Sequence, residues 1–137
     1  MNPLRNIKVL EMEGLAPTVF AGRMLADLGA TVTIVSRPEK IPISLDIHES
    51  TLNHGKRSII IDLKNKIDVE CLKVLIKDCD VIIDAYKPGV MEKVGLGPDD
   101  CFKINEKIVY TRVTSNNNYI LIKRLWLIIL AFLDCRS

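Results

Sequence analysis

Residues 7–37 read IKVLEMEGLAPTVFAGRMLADLGATVTIVSR. A short apolar strand pattern is broken by Gly14, and Pro17 favours the start of a helix, because the first helical turn has no partner for the N–H that proline lacks. Gly29 is typical of the position just past a helix end, and a second strand pattern follows it through Val35. The apolar residues of the helix recur at helical spacing: Phe20, Met24, Leu25 and Leu28. The stretch therefore predicts two parallel strands joined by a helix in a right-handed crossover.

Strand and helix patterns continue to alternate after this unit. Further strand patterns lie at residues 58–64, 80–84 and 107–113. The run at 58–64 is β-branched without a break, which is typical of a central parallel strand covered on both faces. The helix predicted between the first two of these strands has one apolar face: Val69, Leu72, Leu75 and Ile76. About five strands alternating with helices predict an α/β fold, an open parallel Rossmann-like sheet with flanking helices.

The composition is that of one globular domain. The 137 residues are 48% hydrophobic and 26% charged, which allows a sizeable core. A net charge of +2, without a dense Lys/Arg run, argues against a nucleic-acid partner. The four cysteines lack the spacing of metal ligands, so we expect free thiols, a reducing compartment and no metal. We recognise no secretory signal and no peroxisomal Ser-Lys-Leu address.

The character of the sequence changes after residue 114. Residues 119–133 are dominated by Ile and Leu, and their uncharged run, 125–133, is much shorter than the roughly 18 residues that a membrane span needs. We therefore predict no transmembrane span. Three interpretations stay open for 119–133: a buried helix, a membrane-surface segment, or a tail that has lost the proper continuation of the domain.

Cations follow several predicted strands, at the sheet edge where open α/β sheets bind ligands. They are Arg37, Lys64, Lys87 and Lys93. The turn after the first strand lacks the G-x-G-x-x-G spacing of a dinucleotide site. The pattern favours a phosphorylated ligand bound beside the later strands, with Tyr86 able to stack on a flat ring and Gly89 allowing close backbone approach. The alternative is an ordinary solvated surface with scattered lysines.

Both histidines lie in the segment 38–55, which reads as a long loop on the ligand side. We interpret His48 and His54 as solvated loop residues rather than catalytic bases, because no carboxylate is spaced to orient either ring.

Three ordered blocks of the sequence resemble the alpha-methylacyl-CoA racemase family, within the family III CoA-transferase superfamily. The first block is residues 7–37, with its Gly-Leu-Ala-Pro turn and its Arg-Pro end. The second is Gly-Lys-Arg-Ser at 55–58 followed by Asp-Leu-Lys at 62–64, and the third is residues 86–98. The resemblance runs to about residue 114, and one departure is Thr18-Val19, where the family usually has Gly-Pro.

The resemblance implies a CoA thioester as substrate, with no separate cofactor. By position, Arg37 would meet the nucleotide end of CoA, and Lys93 would contact phosphate. The adenine would be lined by Ile61, Asp62, Leu63 and Lys64. The same pocket would be shaped by Ala85, Tyr86, Lys87, Pro88 and Gly89. The family reaction inverts a 2-methyl-branched acyl-CoA at its α-carbon, by removal and return of the α-proton.

The sequence departs from the family after Val113. The resemblance implies a Gly-rich stretch and a Gly-His-Asp segment here, with an Asp and a Glu further on, whereas this chain has an Asn triplet and an apolar tail. We assign no catalytic residue, and we expect a racemase-like protein that is inactive alone. The alternatives are a non-catalytic CoA-binding or partner-binding module and a CoA-transferase relative.

The expected organisation is a CoA-binding α/β portion at residues 1–114 and a divergent apolar tail at 115–137. The resemblance implies a two-domain chain whose subunits interlock as a homodimer, and we expect this chain to be a truncated first part of the large domain. Resemblance places the protein in the peroxisome or mitochondrion; without a recognised signal, the alternative is the cytoplasm.

Overall fold

The computed structural model describes residues 2–38 and 51–113, together with the backbone of residues 120–123. In chain order the elements are β1 Lys8–Met12, α1 Ala16–Asp27, β2 Thr31–Ser36, β3 Arg57–Ile60, α2 Lys66–Lys77, β4 Val81–Asp84, α3 Val90–Lys93, α4 Pro98–Ile104, β5 Val109–Val113 and β6 Ile120–Lys123.

The strands form one open sheet in the order β3-β2-β1-β4-β5-β6. β1 to β5 are parallel, and β6 pairs antiparallel with β5. The strand order reverses direction between β1 and β4, which is the arrangement that opens a crevice at the carboxyl edge of a doubly wound sheet. The predicted α/β class, with five parallel strands, is confirmed.

The helices begin where the sequence supplies the appropriate residue. Pro17 lies in the first turn of α1, as predicted. Asn65 precedes α2, and its side chain accepts a hydrogen bond from the Ile67 N–H at 2.9 Å. Asp68 in the first turn of α2 and Lys77 in its last turn suit the helix dipole.

The core consists of one layer on each face of the sheet. On one face α2, α3 and α4 contribute apolar side chains that pack against Leu10, Met12, Ile82 and Tyr110. On the other face α1 packs Ala21, Leu25 and Ala26 near Val9, Val32 and Ile83. Within the described residues, no helix is long and apolar enough to cross a bilayer.

The prediction that residues 58–64 form a central strand is wrong. β3 ends at Ile60 and, among the described strands, pairs only with β2 at the end of the sheet. The Ile60 side chain is 68% exposed. A β-branched run indicates a strand, but its place in the sheet depends on long-range pairing that the run does not encode.

The helical spacing of the apolar residues predicted α1 but not which side of it is buried. Phe20, Met24 and Leu28 are exposed, while Thr18 and Gly22 are the buried residues of the helix. Residues 120–123 form strand β6, which none of the three interpretations of the tail included. The rest of the tail, and the predicted domain boundary at residue 114, lie outside the described residues.

Candidate functional site

Arg37, the first predicted ligand residue, follows β2 at the carboxyl edge of the sheet. Its N–H donates to Glu13 Oε2 at 2.8 Å, and its guanidinium carbon lies 5.8 Å from the centre of the Tyr86 ring. The sheet order places β1 and its Glu13 between Arg37 and the turn that follows β4. Burial raises the pKa of Tyr86, which keeps the phenol neutral. A cation and a flat ring, which the sequence analysis named separately, therefore lie in contact at this edge of the sheet.

The turn after β3 contains the second predicted group. The Ile61 side chain is buried, and its N–H donates to the Ser36 carbonyl at 2.9 Å. Asp62 Oδ1 accepts from the Lys64 N–H at 2.9 Å, which makes a local turn and leaves the Lys64 side chain exposed. Leu63 packs against the core. Within this group the exposed Lys64 ammonium is the group best placed to meet a ligand.

The turn after β4, residues 85–89, is fixed at both ends by carboxylates. Asp84 Oδ1 accepts from the Tyr86 N–H, and Glu92 Oε2 accepts from the Gly89 N–H, each at 2.8 Å. Gly89 has φ +92°, a left-handed conformation that other residues rarely adopt. Lys87 and Pro88 are exposed within this turn, and Lys93 is exposed on α3. The backbone of the turn is thus held by hydrogen bonds at both ends, while the cationic side chains of Lys87 and Lys93 are exposed.

One buried arginine joins the two carboxylates. Arg112 Nε donates to Asp84 Oδ2 at 2.7 Å and Arg112 Nη2 donates to Glu92 Oε1 at 2.8 Å. The Tyr110 hydroxyl also donates to Asp84 Oδ2, at 2.7 Å. We call Asp84, Glu92, Tyr110 and Arg112 the turn clamp. Its members hold residues 85–89 in place from two neighbouring strands and α3.

The protonation states in the clamp follow from its geometry. Burial opposes the charge of Arg112, but the hydrogen bonds to Asp84 and Glu92 raise its pKa above the usual value. Burial, together with the charge of Asp84, raises the pKa of Tyr110, which therefore stays a neutral donor. Partial burial works against ionisation of Glu92, yet hydrogen bonds from backbone N–H groups and Arg112 lower its pKa.

None of the four residues of the turn clamp was predicted from the sequence as a site residue. Asp84 and Arg112 are direct partners in the β4–β5 register. The sequence does show an acid at the end of one strand and an arginine near the end of the next, and this pattern could have predicted the ion pair. Using that signal requires knowing that β4 and β5 are adjacent. The separation of 28 residues along the chain conceals the pair.

The turn after β1 packs tightly against the turn after β4. A Cβ atom at Gly14 would lie 2.1 Å from the Ala85 Cβ, so only glycine fits there. Ala85, predicted to shape the ligand pocket, is half-buried against this glycine. The Gly-Leu-Ala-Pro turn therefore positions the neighbouring turn rather than forming the phosphate cradle of a dinucleotide fold.

Other reactive side chains lie elsewhere. Burial raises the pKa of both the Cys79 and the Cys101 thiol to about 12, so neither is a thiolate nucleophile at neutral pH. His54 is exposed, and its carbonyl accepts a 3.4 Å hydrogen bond from Arg23; His48 lies outside the described residues. Within residues 2–38 and 51–113, no cluster of His, Cys, Asp and Glu has metal-binding geometry.

The model of CoA-transferase family III matches residues 4–117. This chain belongs to CoA-transferase family III. As a family III chain it is 39% identical over 111 residues to a CaiB/baiF CoA-transferase family protein of Caenorhabditis elegans, covering 81% of this chain and 31% of the relative.

Two further family III relatives agree. The alpha-methylacyl-CoA racemase of Homo sapiens is 40% identical over 111 residues, covering 81% of this chain and 28% of the racemase. A crystal structure of Rv3272 from Mycobacterium tuberculosis superposes with a TM-score of 0.80 at 32% identity, covering 85% of this chain and 35% of that one. This chain thus spans about a third of the length of the family III proteins that it matches.

Proposed function

We propose that this chain is the CoA-binding portion of an acyl-CoA enzyme of the alpha-methylacyl-CoA racemase type. The observation that carries the proposal is the carboxyl edge of the sheet. There Arg37 lies over Tyr86, and the turn at 85–89 is held rigid by the turn clamp. Membership of CoA-transferase family III supports a CoA thioester as the ligand.

The chemistry of this edge suits the nucleotide end of CoA. A guanidinium and a phenol ring side by side supply a cation for phosphate and a flat surface for adenine. Lys64, Lys87 and Lys93 add exposed ammonium groups that can reach phosphates without first breaking an ion pair in the described structure. Because Tyr86 and Gly89 are already fixed by hydrogen bonds, little ordering of the turn would be needed on binding.

Two reaction types within the family are supported by different relatives. The racemase type is supported by 40% identity to the human racemase. A transferase type is supported by 33% identity to the probable fatty acyl-CoA transferase Rv3272. We favour the racemase type, for which the reaction would be exchange and inversion at the α-carbon of the acyl group. We further propose that this chain binds CoA without carrying out that reaction by itself.

Thermal unfolding of the chain with increasing CoA tests the proposed site. A ligand that binds only the folded state raises the Tm by mass action. We expect CoA to raise the Tm of the native chain and to have a much weaker effect on Arg37→Ala. The control is Arg5→Ala, which removes the same charge from an exposed position before β1. This position is at the amino-terminal ends of the parallel strands, away from the proposed site.

The outcomes separate clearly. An equal CoA-dependent rise in all three proteins would show that CoA does not use the Arg37 edge. A cooperative transition that CoA leaves unchanged in the native chain would contradict CoA binding altogether. Inorganic phosphate at matched ionic strength distinguishes a specific effect from screening of the cations.

A further inference from the structure

The backbone pairing of β1 with β2 stops where the chain enters the candidate site. The Glu13 N–H donates to the Val35 carbonyl at 3.0 Å, which continues the parallel pairing of the two strands. In a parallel ladder the next bond would run from the Arg37 N–H to the Glu13 carbonyl. Instead, the Arg37 N–H donates to the side-chain Oε2 of Glu13 at 2.8 Å. A carboxylate thus takes the place of a backbone acceptor at Arg37.

The same carboxylate oxygen lies near the Arg37 guanidinium without a hydrogen bond to it. Glu13 Oε2 is 3.9 Å from Arg37 Nε, a distance too long for a hydrogen bond. The Arg37 side chain is 59% exposed, whereas that of Glu13 is only 25% exposed. Within residues 2–38 and 51–113, no acceptor takes a hydrogen bond from this guanidinium. Glu13 therefore fixes the Arg37 backbone and does not occupy the donors of its side chain.

Tyr86 is the third member of this group, and its place is fixed separately. The Arg37 guanidinium carbon lies 5.8 Å from the centre of its ring, and Asp84 Oδ1 holds its N–H. Burial raises the pKa of the Tyr86 phenol, the charge of Arg37 opposes this rise, and the charge of Glu13 adds to it. The ring is thus held from β4, so the cation stays beside it only if Arg37 is also held.

We propose that Glu13 is a positioning residue of the CoA-binding edge, an inference that rests on the proposed binding of CoA. Its side-chain oxygen holds the Arg37 backbone, so that the guanidinium stays beside Tyr86 before the ligand arrives. Such preorganisation reduces the ordering cost of binding. Glu13 acts through Arg37 rather than on the ligand. Its negative charge repels a nearby phosphate, so the role requires the acceptor oxygen and not the charge.

Two substitutions separate the acceptor from the charge. Glu13→Ala removes both, and we expect it to raise the Kd for CoA about fivefold, as for the loss of one ordering hydrogen bond. Glu13→Gln keeps an oxygen that can accept from the Arg37 N–H, and it should bind CoA at least as tightly as the native chain. Isothermal titration calorimetry measures each Kd, and far-UV circular dichroism verifies that each variant is folded. Glu70→Ala, on the exposed surface of α2, is the control for loss of a carboxylate elsewhere.

A double variant shows whether Glu13 acts through Arg37. If it does, adding Glu13→Ala to Arg37→Ala should weaken CoA binding no further than Arg37→Ala alone. A general loosening of the fold would instead weaken binding in both backgrounds by the same factor.

Amide hydrogen exchange, followed by NMR, tests the contact without any ligand. We expect the Arg37 N–H to exchange several-fold faster in Glu13→Ala than in the native chain and to keep its protection in Glu13→Gln. The Ile61 N–H is the internal control, because it donates to the Ser36 carbonyl on the other side of β2 and should be unchanged in both variants. Unchanged exchange of Arg37 in Glu13→Ala would contradict the contact itself.

The binding results distinguish failure of this proposal from failure of the proposed function. A native Kd that Glu13→Ala leaves unchanged would refute the role of Glu13 while CoA binding stands. Equal weakening by Glu13→Ala and Glu13→Gln would attribute the effect to the charge and overturn the acceptor role. An undiminished loss in the Arg37→Ala background would show that Glu13 does not act through Arg37. A folded native chain that does not bind CoA would refute the proposed function, and this proposal with it.

Discussion

At the scale of the residue, Gly22 shows how a missing side chain admits a buried charge. A Cβ at this position would lie 1.7 Å from Glu11 Oε2 and 2.7 Å from Glu11 Cδ. The Glu11 carboxylate is almost fully buried beside it, and burial raises the pKa of Glu11 in spite of the nearby Lys56. Close packing against Glu11, rather than an unusual backbone conformation, thus requires glycine at position 22.

Gly22→Ala is therefore expected to destabilise the fold, although alanine is the better helix former by about 1 kcal/mol. Displacing the carboxylate from Lys56 should lower the free energy of unfolding by about 2 kcal/mol net, measured by urea denaturation. The control is the same substitution in a Glu11→Ala background, where the obstructing Glu11 atoms are gone and the nearest remaining atom, Lys56 Nζ, lies 3.1 Å from the added Cβ, so the loss should be much smaller. Equal losses in both backgrounds would refute the steric account.

Glu92 should contribute to the loss of free energy of unfolding as the pH falls into the acid range. Its pKa is lowered in the folded state, so its contribution is fully present above the unfolded pKa and is lost as the pH falls through the folded pKa. Glu11 has the opposite sign, because its pKa is raised, but it is common to the proteins compared. We expect Glu92→Gln to be less stable than the native chain near neutral pH and to differ from it progressively less below about pH 4.

Urea unfolding of both proteins across this pH range measures the difference directly. Glu70→Gln is the control, because Glu70 pairs with Lys73 on the exposed surface of α2 and takes no part in the turn clamp. A Glu92→Gln difference that stays constant with pH would show that the clamp does not depend on the charge of Glu92.

At the scale of the element, the ammonium group of one lysine joins the segment before β3 to strand β1 and helix α1. Lys56 Nζ donates to Glu11 Oε2 of β1 and to the Val19 carbonyl of α1, each at 2.8 Å. The Lys56 side chain is fully buried, and Glu11 Oε1 has no hydrogen-bond partner among the residues that the structure describes. An edge strand, a central strand and a helix therefore meet at this ion pair.

A double-mutant cycle separates the pair from its surroundings. Glu11→Leu alone and Lys56→Met alone each leave an unpaired buried charge and should lower the free energy of unfolding by about 3 kcal/mol. The double variant replaces the pair by apolar groups and should lose less than either single variant. Additive losses in urea denaturation would mean that the two side chains stabilise the fold independently.

At the scale of the whole molecule, the parallel sheet gathers the candidate site from separate parts of the chain. Arg37, residues 61–64 and residues 85–89 follow β2, β3 and β4, and parallel strands bring their carboxyl ends to a single edge. This grouping of side chains supports the proposed binding of CoA. The reaction proposed for the racemase type also requires a base and an acid on opposite faces of the α-carbon.

We expect the 137-residue chain to catalyse no α-proton exchange, because its two histidines, His48 and His54, do not match the base segment that the resemblance implies. The measurement is incorporation of solvent deuterium into a 2-methylacyl-CoA, followed by mass spectrometry. His54→Gln is the control for any residual signal, since His54 is the histidine within the described residues. Sustained exchange by the pure native chain would contradict the expectation.

How far the sequence predicts this protein differs between the fold and the site. Local periodicity was enough for the alternation of strands and helices and for the α/β class. The apolar run of β3 wrongly predicted a central strand, because burial depends on which strands pair. It also missed β6, since Ile and Leu between polar residues do not distinguish a strand from a buried helix.

For the site, the sequence by itself determined which residues follow the strands, and so which cations and rings could meet at one edge. Only the tertiary structure decided that Arg37 lies over Tyr86 and that Arg112 joins Asp84 to Glu92. The physical reason is that strand residues adjacent in space are distant along the chain. Chain order specifies each strand end, whereas the pairing of β4 with β1 and β5 specifies its neighbours.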